Sequence, residues 1–260
     1  MAAPAPRAAK RARPAALEAR VSTIELPGLD IHSVLAGKGG ERFLGTKTAL
    51  YLQVHGRLAL IAGHPSEEGF EDGQGVQARF AGLNGLAMER GGSVLVCDFN
   101  NHSVRRVSPH GQVTTVAGNG EEGFADGVGD AARFNMPTGI KVDTQGLIYV
   151  ADTGNHCIRR VQPADGTVST LCGKGKEPGC ANGPAAEARF NRPLGLALDM
   201  NEDLIVADCG SRLGVTESLS QRGGVRRPHP YRWLPTVPLR VPAECCSVVS
   251  TFARRLGLPP

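Results

Sequence analysis

The chain writes nearly the same phrase twice, 54 positions apart: VCDFNNHSVRRV over 96–107 and VADTGNHCIRRV over 150–161. Three Ala-Arg-Phe anchors extend the match, at 78–80, 132–134 and 188–190, with spacings of 54 and 56. A catalytic constellation has no use for a second copy. A module that buries its faces only by stacking on its neighbours does. The repeat therefore selects an architecture of stacked units and sets the expectation for everything else in the chain.

Within a unit the hydrophobic period is that of strands. GLIYVAD and TVSTLCG are short runs of β-branched and other apolar residues bounded by Gly, Asp and Asn. The 34 glycines and 18 prolines call for many turns and short elements, so the composition favours an all-β fold. Four strands are expected near 138–143, 147–152, 157–162 and 168–172. Tight turns join the first three, and a long Gly-rich link leads from the fourth to the next unit. Four-stranded antiparallel units at this period suggest the blades of a β-propeller.

The motifs VADTGNHCIRRV and PTGIKVDTQGLIY resemble the NHL repeat, named for an Asn-His-Leu triplet. Asn101-His102 and Asn155-His156 match its first two positions, while Ser103 and Cys157 replace the third. The GFxDGxGxxARF insertions at 69–80 and 123–134 resemble the long-linker version of that repeat. The resemblance covers 57–210 and implies a propeller that serves as an interaction platform, with a protein partner whose identity stays open. It also leaves an enzyme of lactonase or lyase type, or an RNA-binding module, as alternatives.

The organisation read from the sequence has three parts. Residues 1–32 are a basic Ala/Arg/Pro-rich tail and 211–260 an Arg/Pro-rich stretch without repeat anchors, both expected to be disordered. Residues 33–210 are the propeller segment, with two full blades and partial blades at each end. A truncated coding sequence would explain the abrupt loss of pattern. On this reading DLIVAD (203–208) is an unpaired apolar edge, and self-association through open blade edges follows.

The net charge of +4 is unevenly shared. Residues 1–20 carry five basic and one acidic side chain and 215–260 carry seven and two, which leaves 17 basic against 22 acidic between them. A mildly acidic body argues against a broad nucleic-acid surface. No apolar run approaches the roughly 18–20 residues of a membrane span. The first 20 residues lack the apolar core of a secretory signal. A cytoplasmic or nuclear location is expected, with organellar targeting by the basic tail as the alternative. The seven cysteines show no CxxC pair, and Cys97 and Cys172 fall where other copies have alanine, as small buried side chains do.

The repeated polar residues are the candidates for chemistry. Asp98, Asp152 and Asp208 recur after the second strand, where an aspartate followed by Gly or Asn stabilises a turn through local side-chain bonds. His102 and His156 are expected to hydrogen-bond across the blade. Of Arg105-Arg106 and Arg159-Arg160, alternation turns one of each pair inward and the other to solvent. All four are weak candidates for a binding face. Phe80, Phe134 and Phe190 read as apolar plugs between blades. The GFxDG loops lack the Gly-Lys-Ser/Thr ending of a phosphate cradle. Like residues at like positions do not converge on one centre, so no catalytic residue, metal or cofactor is assigned.

Overall fold

The computed structural model describes residue 26, residues 28–210 and the backbone of a strand at 215–219. Four antiparallel sheets follow one another along the chain. The first holds β1 (Ser33–Ala36), β2 (Arg42–Gly45), β3 (Ala49–Val54) and β4 (Arg57–Gly63) in that order. The second holds β6 (Leu83–Met88), β7 (Val94–Asp98), β8 (Ser103–Val107) and β9 (Gln112–Ala117), and a short strand from the preceding linker, β5 (Gly73–Gln74), adds to β9. The third repeats this with β10 (Gly127–Val128) against β14 (Thr167–Cys172), beside β13 (Cys157–Val161), β12 (Ile148–Asp152) and β11 (Pro137–Val142). The fourth contains β15 (Pro193–Leu198), β16 (Leu204–Asp208) and β17 (Val215–Leu219).

The sheets stack face on face as propeller blades, because alternation gives each strand two apolar faces. Leu95, Cys97, Val104 and Ala117 of the second sheet meet Phe134, Ile140, Ile148 and Val150 of the third in one buried cluster. Tyr149, Ala151, Ile158 and Cys172 of the third meet Phe190, Leu196, Leu204 and Val206 of the fourth. Phe80, Leu86, Val94 and Val96 likewise meet Leu50 and Ala62 of the first. Each plug phenylalanine thus sits at a junction between sheets. Glycine lets the innermost strands approach closely: a Cβ on Gly85 would strike the Thr138 carbonyl oxygen, and one on Gly139 the Leu194 carbonyl oxygen.

Three expectations need correction. The first blade is not partial, since 33–45 supplies two strands that complete it. They escape the repeat pattern because the anchors are substituted there: Asp30 stands three residues before the inner strand, where the other blades have phenylalanine. The 1–32 tail also enters the fold at its end, where Leu26, Leu29 and Ile31 pack on Leu44, Ala49 and Tyr51. Finally, 203–208 is not an unpaired edge, because β17 pairs with β16 in antiparallel register. Residues 1–25 and 220–260 lie outside the described residues, as does the disorder expected of them.

Candidate functional site

The repeated polar residues come together once in each of the second and third blades, around a buried arginine. Arg105 and Arg159 lie on β8 and β13 and are fully buried. Nη1 of Arg105 donates to Asp98 Oδ2 at 2.9 Å and to the Arg79 carbonyl at 3.2 Å, and Nη2 to Asp72 Oδ1 at 2.7 Å and the Glu71 carbonyl at 2.8 Å. Arg159 repeats the set with Asp152 at 2.8 Å, the Arg133 carbonyl at 2.9 Å, Asp126 at 2.7 Å and the Ala125 carbonyl at 2.7 Å. The rings of Phe70 and Phe80 lie 4.8 and 5.2 Å from the Arg105 guanidinium carbon, within cation–π range. Phe124 and Phe134 do the same for Arg159, at 5.0 and 5.2 Å.

The aspartates are hubs rather than turn caps. Asp98 Oδ1 accepts the Ala81 N–H at 2.8 Å, from 17 residues upstream, and Oδ2 accepts Asn101 Nδ2 at 2.8 Å as well as Arg105. Asp152 takes the Asn135 N–H and Asn155 Nδ2, both at 2.8 Å. Asn101 and Asn155 each give a second bond to a linker carbonyl, Gly69 and Gly123, at 2.7 Å. Burial pushes the carboxyls of Asp98 and Asp152 up to about 6, against the guanidinium and the N–H donors, so both remain charged at neutral pH. Burial also raises Asp126, but the Thr170 backbone N–H and Arg159 outweigh it and hold that carboxyl below its usual value. Asp208 accepts the Asn191 N–H at 2.8 Å, the equivalent bond in the fourth sheet.

The histidines bond between blades, not across their own. Nδ1 of His102 accepts the Met136 N–H at 3.1 Å, and Nδ1 of His156 accepts the Arg192 N–H at 3.0 Å. All four residues have left-handed backbones, with φ of 48° and 50° in the first pair and 56° and 58° in the second. Such conformations cost energy in non-glycine residues and persist where contacts fix them. Burial lowers the pKa of both imidazoles, which keeps Nδ1 free to accept.

This arrangement removes Arg105 and Arg159 from any binding face, because the inward turn of the strand buries them and spends their Nη donors within the blade, while each Nε is buried without a partner. Their partners Arg106 and Arg160 divide. Arg106 grips Glu89 with two bonds of 2.8 Å and reaches the Pro163 carbonyl of the next blade at 3.3 Å, while Arg160 is exposed and bonds Ser169 at 3.3 Å. Cys97, Cys157 and Cys172 are buried, and burial raises their thiol pKa values. Among the described residues no group of three or more His, Cys, Asp or Glu is placed to hold a metal ion. None of their helices is long and apolar enough to cross a membrane.

The buried arginine and its partners form a clamp that also includes Phe70, Asp72, Phe124 and Asp126, a role that local sequence does not reveal. A signal for it exists. In the third linker Cys180 and Asn182 replace the Phe and Asp of GFxDG, and Thr216 has the β17 register position that Arg105 and Arg159 have on β8 and β13. All three partners change together, as a cooperating set would.

Residues 134–161, which hold the second Asp-Asn-Arg set, match the family model for the NHL repeat. The chain carries an NHL repeat. Over 140 residues it is 33% identical to Protein SUPPRESSOR OF QUENCHING 1, chloroplastic, of Arabidopsis thaliana, a match covering 50% of this chain and 13% of that protein. It is 32% identical over 166 residues to NHL repeat-containing protein 2 of Bos taurus, covering 59% of this chain and 23% of the relative. The matches therefore span less than a quarter of these relatives' own length. A structural genomics protein of unknown function from Bacteroides thetaiotaomicron superposes with a TM-score of 0.60 at 21% identity, over 70% of this chain and 45% of the other. These NHL blades share its fold.

Proposed function

We propose that this NHL-repeat segment is a non-catalytic module for protein binding, a scaffold whose variable surface makes the contacts. One observation carries the reading. The carboxylates, guanidiniums and imidazoles that recur from blade to blade spend their bonds on linkers and neighbouring blades, so repetition marks structure and recognition falls to unlike residues. Those unlike residues are in the hairpin loops of one rim, such as Arg90, His110, Gln145 and Met200. Loops on a rigid scaffold are where binding residues collect. An enzyme of propeller type would instead need unlike ligands or a nucleophile and base brought together at one place. RNA binding would rest on Arg160 without Arg105 and Arg159, on a body that is net acidic. A protein partner inside the cell, in cytoplasm or nucleus, fits the reading best.

The test is proximity labelling in cells, followed by titration of each purified candidate against the full chain by calorimetry. A partner whose binding is lost on changing Arg90, His110 and Met200 together supports the proposal. Hydrolysis of lactone or ester substrates by the purified chain, or tight binding to single-stranded RNA in the absence of any protein partner, overturns it.

A further inference from the structure

The fourth sheet presents one face to the third and another away from it. Leu196, Leu204 and Val206 are buried against the third sheet, so alternation puts Gly195, Ala197, Ile205 and Ala207 on the far face. The equivalent residues of the second sheet are Gly85, Ala87, Leu95 and Cys97, all buried under the next blade. In the fourth sheet Ala197 and Ala207 are exposed, and Gly195 and Ile205 are half-buried. A Cβ on Gly195 would meet only Ala207 Cβ at 3.4 Å, where Gly85 and Gly139 meet a carbonyl of the following blade. The far face keeps the small apolar surface of an internal junction, and no described residue covers it.

The other end of the stack is different. On the first sheet Arg42 stands where the later blades have Val94, Ile148 and Leu204, and Leu26, Leu29 and Ile31 lie over part of that face. That face is mixed, with Arg42 and the exposed Val34 beside the part they cover. Head-to-tail stacking of two chains would bring Arg42 onto the apolar far face of the fourth sheet, which disfavours that pairing.

We propose that this face is covered by the same face of a second copy, in a two-fold dimer with the strands running antiparallel across the interface. The charges at its ends select that orientation. Arg192 is exposed at the start of β15, and Asp199 and Asp203 flank the turn at its other end. Flipping one sheet over the other sets Arg192 of each copy beside the acidic turn of its mate, and a parallel arrangement would put like charges together. Gly195, Ala197 and Ala207 allow the close approach, and an isologous contact needs one self-complementary patch only.

The experiment is light scattering and sedimentation velocity on the full chain, with Ala197→Arg, Ala207→Arg, Arg192→Glu and the swap Arg192→Glu/Asp203→Arg. The parent is expected to dimerise with rising concentration. Each alanine variant should be monomeric with unchanged circular dichroism and melting temperature measured at low concentration. Arg192→Glu should weaken dimerisation about tenfold, and the charge swap should restore it. A parent that stays monomeric overturns the proposal, as does a dimer indifferent to both arginines or a swap that fails to restore association.

Discussion

Replacing Arg159 with methionine isolates the clamp. The side chain loses four hydrogen bonds, two to carboxylates, and leaves Asp152 buried with its charge unmatched while Asp126 remains half-exposed. Removing one partner of a buried pair costs about 3–5 kcal/mol, because the remaining charge keeps its desolvation penalty. Methionine retains much of the stem volume between Phe124 and Phe134, so packing loss is small beside the electrostatic loss. At about 2–4 °C per kcal/mol for a chain of this size, the melting temperature should fall by roughly 6–20 °C. Adding Asp152→Asn should recover part of that, since the orphaned charge disappears and the amide oxygen still accepts the Asn135 N–H, although Asn155 Nδ2 loses the second oxygen. Arg160→Met is the control, expected within about 0.5 kcal/mol of the parent because the group is exposed. Differential scanning calorimetry of the four proteins decides it. A loss under about 1 kcal/mol for Arg159→Met, or no recovery in the double variant, would refute the account of the arginine as the tie between linker and blade.

Three further outcomes are expected. Because burial lowers the folded pKa of His102 and His156 below the unfolded value of 6.5, their inter-blade bonds stabilise the chain above that pH and are lost as it falls towards the folded values. Asp98 and Asp152 act with opposite sign between about 6 and 3.8, so the quantity to measure is the difference in urea midpoint between parent and His102→Gln/His156→Gln, which should shrink on going from pH 7.5 to 5.5. Gly85→Ala should destabilise by about 1–3 kcal/mol, since its Cβ meets a neighbouring blade, whereas Gly195→Ala should cost less than about 0.5 kcal/mol in dilute solution. Phe134→Ala, which empties a fully buried site at a junction, should cost about 3–5 kcal/mol by chemical denaturation.

The repeat made the second and third blades legible almost to the residue: strands expected at 138–143, 147–152, 157–162 and 168–172 are found at Pro137–Val142, Ile148–Asp152, Cys157–Val161 and Thr167–Cys172. Self-similarity failed where the markers were replaced. In the first blade Thr46, Thr48 and Tyr51 stand for the Asp, His and Arg, and the strands persist because pairing and burial do not need those side chains. Val215–Leu219 reads VTESL, with no apolar alternation, and gains its place from the edge that β16 offers. The role of the aspartates is hidden for a related reason. Turn chemistry is local, while Asp98 bonds a backbone N–H 17 residues upstream, and one-dimensional proximity carries no sign of that.

The linker strands β5 and β10 precede the sheets whose edges they complete: Gly73 pairs with Val113, and Gly127 with Val168. During synthesis the border strand of these two blades therefore precedes the fourth strand that it pairs with. The arginine that fastens it, Arg105 or Arg159, arrives one strand earlier, so the strap is latched before the sheet is finished. Assembly gains a direction from this, each unit closing behind the one just made.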